Sequence, residues 1–246
     1  MLILAIDIGN TRIKWGLSNN TNWLDRGAAS SNEHAVLAGQ WAGIPAPGHI
    51  IISSVAHTKK TDQVTRLCQS WPTQLQLITA QATQCGVRNG YDDPTQLGSD
   101  RWAALVGARH LFPGRDLLVV QSGTATTIDT LDASGFFPGG LILPGVQLMW
   151  QALTQGAAKL GLQQGKFNVY PRNTADAMQS GILNAIAGGI ERRFRLLKNN
   201  PLCLLSGGDA DILLPLLDIP TLDIPIQRVD DLVLEGIILI AQEGSK

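Results

Sequence analysis

The amino-acid sequence predicts an α/β fold built from two related halves, each opening on a strand, a tight polar turn and a second strand. An apolar run, Leu2 to Ile6, ends in Asp7-Ile8-Gly9-Asn10-Thr11 and is followed by Arg12-Ile13-Lys14-Trp15-Gly16-Leu17. The pattern recurs as Leu117-Leu118-Val119-Val120, then Gln121-Ser122-Gly123-Thr124-Ala125-Thr126-Thr127, then Ile128-Asp129-Thr130-Leu131. The turn glycines, Gly9 and Gly123, stand nearly half the chain apart, and 246 residues with 44% apolar side chains suffice for a substantial core.

The chemistry of the turns points to phosphate. A carboxylate at a strand end, followed by Gly, Asn and Thr, sets a Mg²⁺-anchoring group beside backbone N–H and hydroxyl donors, and the small residues let a phosphate approach. Either turn alone could be an ordinary hairpin, with Gly9-Asn10 supplying positive φ or a Thr-rich strand satisfying β propensity. Two such turns heading two halves, 1–115 and 116–246, predict a nucleotide held between them.

The elements follow in order. After the first hairpin a strand is predicted over 22–28 and a short helix over 33–40, capped by Ser31 or Asn32. Pro45-Ala46-Pro47-Gly48 is a turn, His49 to Val55 a buried strand, and Thr58 to Ser70 an amphipathic helix with Val64, Leu67 and Cys68 inward. A strand over 75–78 closes this half. Ala80 to Gly98 has no period and contains Gly86, Asn89-Gly90 and Asp92-Asp93-Pro94, so it is predicted as a long loop of the functional kind. A helix over 99–112, capped by Ser99 or Asp100, is expected to bridge the halves. Strands are predicted over 117–120, 124–131 and 136–143, with Pro144 in the first turn of a helix. A long helix over 174–198, a strand over 202–205 ending in Ser206-Gly207-Gly208-Asp209, and a helix over 232–242 complete the chain.

Composition excludes several classes. The formal net charge is −1 with no long run of one sign, which argues against nucleic acid as a partner. Arg192, Arg193, Arg195 and Lys198 read as a solvated helix face. Three cysteines, Cys68, Cys85 and Cys203, show no CxxC spacing and suit a reducing cytoplasm better than a disulfide framework or a zinc site. No signal-peptide pattern and no apolar run of about 18 residues is present, so a cytoplasmic protein without a membrane span is expected. The histidines His34, His49, His57 and His110 share no metal-like spacing. Gly161-Leu162-Gln163-Gln164-Gly165-Lys166-Phe167 imitates a Walker A loop but is one residue short and carries Phe where Ser or Thr must meet Mg²⁺.

Asp7-Ile8-Gly9-Asn10-Thr11, Gly123-Thr124-Ala125-Thr126-Thr127 and Ser206-Gly207-Gly208-Asp209-Ala210 resemble the phosphate-1, phosphate-2 and adenosine segments of the actin/Hsp70/sugar-kinase superfamily, whose duplicated halves are ribonuclease H-like. Within it the chain is most similar to type III pantothenate kinases. That likeness runs through Gly90-Tyr91 with Pro94, Leu97-Gly98-Ser99-Asp100-Arg101, Gly139-Gly140-Leu141-Ile142-Leu143-Pro144-Gly145, Asn173-Thr174 and Ser180-Gly181, and covers nearly the whole length.

The resemblance implies transfer of the ATP γ-phosphoryl group to the primary hydroxyl of pantothenate, giving 4′-phosphopantothenate at the opening of coenzyme A synthesis. Phosphoryl transfer needs positioning and charge neutralisation more than covalent chemistry. Asp7 then holds Mg²⁺ through water. Asp7, Ile8, Gly9, Asn10, Thr11, Arg12, Ile13, Lys14 and Thr124 bind ATP, and Asp100 accepts the hydroxyl proton. Tyr91, Gly98, Ser99, Asp100, Arg101 and Thr174 bind pantothenate, with Arg101 suited to clamp its carboxylate in two-pronged fashion. The plainer roles are a helix cap for Asp100, a solvated position for Arg101, a loop aromatic for Tyr91 and a cap for Thr174. The family's K⁺ or NH₄⁺ site has Asp where this chain has Gln121, a neutral amide, which weakens that expectation. A homodimer is implied too. Rival readings are a catalytically weak nucleotide-binding regulator of the same fold, or a kinase for another small hydroxy acid or sugar.

Overall fold

A computed structural model describes residues 1–20, 22–156, 163–218 and 222–244. In chain order the strands are β1 (Ile3–Ile8), β2 (Arg12–Ser18), β3 (Trp23–Ser30), β4 (His49–Ser54), β5 (Gln74–Leu77), β6 (Thr83–Gln84), β7 (Val87–Asn89), β8 (Leu117–Ser122), β9 (Ala125–Leu131), β10 (Phe136–Phe137), β11 (Gly139–Pro144), β12 (Leu202–Ser206) and β13 (Ile226–Arg228). The helices are α1 (His34–Trp41), α2 (Thr58–Cys68), α3 (Ser99–Leu111), α4 (Val146–Gly156), α5 (Thr174–Phe194), α6 (Ala210–Leu217) and α7 (Leu232–Glu243).

The first compact unit comprises Met1–Pro113, Gly135–Phe137 and Asp231–Lys246. Its main sheet has the order β3-β2-β1-β4-β5, with β1 antiparallel to β2 and parallel to β4. Ile3, Leu4, Ala5 and Ile6 are buried because β1 is central and covered on both faces, as are Ile50, Ile51 and Ile52 of β4. Strands in that position read as unbroken apolar runs. The second unit comprises Gly114–Ser134 and Pro138–Asp230, with sheet order β11-β9-β8-β12-β13. Its core joins Leu118, Val120 and Ile128 to Ile182, Leu183, Ile186 and Ile190 of α5 and Leu213 and Leu217 of α6. Both sheets pair their first two strands as an antiparallel hairpin and the first strand with a later parallel one.

Several sequence expectations are corrected. A division at 115/116 assigns the last helix to the second half, yet α7 belongs to the first unit. There it packs along α3, with Gly107 and Gly236 permitting the approach. Helix α3 lies wholly in the first unit rather than bridging. Its cap position is Gly98, and Ser99 and Asp100 are its first two helical residues. The cap position of α1 is Glu33, without a side-chain capping bond, because the Ser31 hydroxyl is donated to the Asn10 carbonyl at 2.7 Å. Residues 80–98 are not structureless. β6 and β7 form a hairpin joined by β10, and a 3₁₀ turn spans Pro94–Gln96. The strand predicted over 136–143 is therefore two strands, parted at Pro138. Pro144 ends the edge strand β11 instead of opening a helix, since an edge position does not need its missing N–H. Neither Gly9 nor Asn10 has positive φ. Position 9 is tight rather than left-handed: a Cβ there would stand 3.1 Å from the Arg12 carbonyl oxygen, which would have to shift by a few tenths of an ångström. Gly161 and Leu162, which open the P-loop-like stretch, lie outside the described residues.

Candidate active site

In the first unit the carboxyl ends of β1 and β4 lie side by side, with Asp7 and Ser53 as register partners. The Ser53 hydroxyl donates to Asp7 Oδ1 at 3.3 Å and lies 3.1 Å from the Ser99 hydroxyl. Ser99 Oγ accepts from the Ser54 N–H at 3.0 Å and lies 3.2 Å from the Ser54 carbonyl, so it pins the start of α3 to the end of β4. That pin brings Asp100 towards Asp7. Across the hairpin, Lys14 is the register partner of Asp7.

The electrostatics follow from this crowding. Burial pushes the Asp7 carboxyl up to about 7, and the Asp100 charge adds to the rise. Lys14 and the Ser53 hydroxyl oppose it. Burial likewise raises Asp100, against the Arg101 N–H and charge, which lower it. The Arg101 N–H donates to Asp100 Oδ1 at 2.7 Å. Two buried carboxyls near one another, each only partly offset by a neighbouring cation, are characteristic of functional sites.

Beside them lies an aromatic cluster around Arg101. Arg101 is 5% exposed, with its guanidinium 5.8 Å from the centres of both the Tyr91 and Phe137 rings and Nη1 donating to the Tyr91 hydroxyl at 3.0 Å. Tyr91 stacks obliquely on Phe137 at 5.4 Å. The Tyr91 N–H is received by Asn89 Oδ1 at 3.1 Å, and the Gly90 N–H by the Phe137 carbonyl at 2.9 Å. A side chain at Gly90 would overlap that carbonyl. The small sheet thus holds Tyr91 against Arg101, which excludes a merely solvated role for the arginine.

The turn residues divide by exposure. Ile8 and Ile13 are fully buried, so they can offer a ligand only their backbone, whereas Asn10, Thr11 and Arg12 are exposed. Lys60 of α2 donates to the Asn10 carbonyl at 2.5 Å and to Ser31 Oγ at 2.7 Å, bracing the turn.

In the second unit the Ser122-Gly123-Thr124 turn is built from close backbone contacts. The Gly145 N–H reaches the Thr124 carbonyl at 3.0 Å, and the Asp209 N–H reaches the Ser122 carbonyl at 3.1 Å. Gly207, at φ 98°, would overlap Ser122 with any side chain. The Ser206-Gly207-Gly208-Asp209 segment is thereby placed against the Gly123 turn. Thr124 is exposed, Gln121 partly buried, and Thr127 Oγ1, across the ladder from Gln121, is buried without a partner. Thr174 is exposed as the first residue of α5. The cap is Asn173, whose Oδ1 accepts the Asp176 N–H at 2.9 Å.

Ser53, Phe137 and Lys60 stand at the site without belonging to any motif legible in the sequence. The Ile51-Ile52-Ser53-Ser54 ending of a buried strand was a readable signal, because ligands collect at the carboxyl ends of parallel strands. Phe137 carries none, since it arrives from a distant stretch of chain.

The profile of the family described as type III pantothenate kinase matches residues 3–195. A type III pantothenate kinase of Nitrosospira multiformis is 44% identical, covering 100% of this chain and 93% of its own, and one of Aromatoleum aromaticum is 46% identical, covering 99% of each. Among solved structures, the activator of 2-hydroxyisocaproyl-CoA dehydratase from Clostridium difficile, with bound ADPNP, superposes with a TM-score of 0.55 at 12% identity, covering 100% of this chain and 95% of its own. Fold and site together define an actin-like phosphotransferase with two duplicated α/β halves. The chain belongs to the type III pantothenate kinase family.

Proposed function

We propose that the chain transfers the γ-phosphoryl group of ATP to the primary hydroxyl of pantothenate, with Asp100 as proton acceptor and Arg101 and Tyr91 as the carboxylate-binding pair. The observation that carries this reading is the adjacency of Asp100 and Arg101 on the first turn of α3, a base beside a guanidinium held by Tyr91. Pantothenate presents a hydroxyl and a carboxylate to such a pair. Burial raises the Asp100 carboxyl, making it a better proton acceptor than an exposed carboxylate. Gly98 and Ser99 fix the turn that aims it. Thr174 is assigned to substrate and Thr124 to the phosphates by their place in the family's motifs.

Asn10, Thr11, Lys14 and the backbone of the turn are assigned to the ATP phosphates. Among the described residues no cluster of three or more Asp, Glu, His or Cys side chains could hold a metal. The buried Asp7 carboxyl, only partly offset by Lys14 and flanked by the Ser53 hydroxyl, nevertheless fits a Mg²⁺ held through water beside the phosphates. Mg²⁺ would neutralise charge on the transferred phosphoryl group. At the monovalent-cation position Gln121 offers a neutral amide oxygen, which can ligate K⁺ or NH₄⁺ but brings no net charge as a carboxylate would, so activation by either ion is expected to be weak and no step is assigned to it.

A homodimer in the cytoplasm completes the proposal. Its support is the edge strand β11, where Ile142 is 64% exposed, and Leu148 and Leu153 of α4, also exposed. Among the described residues no helix is long and apolar enough to cross a membrane.

The test is Arg101→Lys, assayed by ADP release. Lysine keeps the charge but loses the planar fork, so the pantothenate KM should rise well above any change in the ATP KM. Equal effects on both would refute the clamp.

A further inference from the structure

We propose that Asp231, at the start of α7, is a positioning residue for nucleotide binding: it holds Lys14 over the Asp7 turn in the orientation that meets the phosphates. The inference rests on the reading of that turn as the ATP site. Lys14 is the direct cross-strand partner of Asp7, so the two side chains leave the sheet on the same face. An ammonium on a flexible four-carbon stem samples many positions unless something holds it. Here Nζ donates to Asp231 Oδ1 at 3.0 Å, while Arg26 Nη1 takes Asp231 Oδ2 at 3.3 Å. Both carboxylate oxygens are engaged, which fixes the plane of the group and hence the place of the lysine.

Asp231 breaks two local rules to do this. It occupies the cap position of α7, where an aspartate ordinarily accepts an N–H of the first helical turn, yet it makes no such capping bond. Its backbone is left-handed, at φ 57° and ψ 26°, a conformation that costs free energy in a non-glycine residue. The carboxylate is turned instead towards the hairpin. Residues that forgo local stability in this way concentrate at functional sites. A second tether keeps the helix start in register, because the Trp23 indole N–H donates to Glu235 Oε1 at 2.7 Å. The Lys14 and Asp231 side chains are 34% and 24% exposed, so the ion pair is only partly shielded from water and does more to orient than to stabilise.

The test compares wild type, Asp231→Asn, Lys14→Met and the double variant. The ATP and pantothenate KM values are read by ADP release, and equilibrium binding is read with a fluorescent ATP analogue. Asparagine tolerates the left-handed backbone, so Asp231→Asn removes the charge and leaves the conformation. The ATP KM and the analogue Kd should rise by about two- to fivefold, the scale of one partly exposed ion pair, with the pantothenate KM nearly unchanged. In the Lys14→Met background the same substitution should add nothing, because the effect passes through Lys14. Equal increments in both backgrounds would reduce Asp231 to a structural residue. Unchanged ATP affinity would overturn the proposal, and so would tighter ATP binding, which would make Asp231 a competitor of the phosphates. A wild type that turns over no pantothenate defeats the functional reading, whereas analogue binding still scores Asp231.

Discussion

Asp100 accepts the Arg101 N–H and has a carboxyl raised by burial, while the Asp7 carboxyl adds to the local negative charge. In its proposed role as proton acceptor it should be intolerant of amidation. Asp100→Asn is expected to lower kcat by a factor of about 10² or more, the scale of general-base loss, with an unchanged circular dichroism spectrum. Activity within a few-fold of wild type would leave Asp100 as no more than a first-turn residue of α3. Asp7 gives a pH signature that needs no substrate. Its carboxyl is raised from 3.8 to about 7, so between those values the unfolded chain releases a proton that the folded chain keeps. Folding then binds more protons, and the contribution of Asp7 to stability, full below about 4, is lost as pH rises through about 7. In chelator-treated protein, Asp7→Asn should therefore raise the melting temperature at pH 8 and gain little at pH 4.5. An equal gain at both would show that the Asp7 charge carries no folding cost.

Among the elements, the two Gly-Thr hairpins and the strands behind them were readable because central strands leave unbroken apolar runs and their turns leave small polar residues. The Asp100-Arg101 pair was readable through its motif. The small sheet of β6, β7 and β10 was not, since strands of two and three residues have no measurable period and β10 arrives from beyond the second hairpin. Nor does anything local in Leu232–Glu243 state which sheet it covers, because the helix is apolar on several faces and Gly107 and Gly236 act only when α3 and α7 meet. That contact supplies the test at this scale. A methyl at position 236 would overlap the Ala103 carbonyl. Gly236→Ala is therefore expected to cost about 1–3 kcal/mol through overpacking, visible as a lower urea midpoint with unchanged slope. A neutral or stabilising result, from the ordinary helix preference for alanine, would show that α3 and α7 can part without cost.

Over the whole molecule, each unit carries the same hairpin-first sheet order, and family relatives match along nearly the full length. Fold alone leaves the acceptor undecided, because actin-like halves serve many phosphotransfer reactions. In the proposed reading the first unit narrows it, since a raised carboxyl lies there beside an arginine set against Tyr91 and Phe137. The most direct measurement is ATP-dependent ADP release by the purified chain with Mg²⁺, pantothenate being set against a panel of other hydroxy acids and sugars. Turnover confined to pantothenate, with 4′-phosphopantothenate as the product, is the expected result. Turnover of another acceptor with none for pantothenate would contradict it.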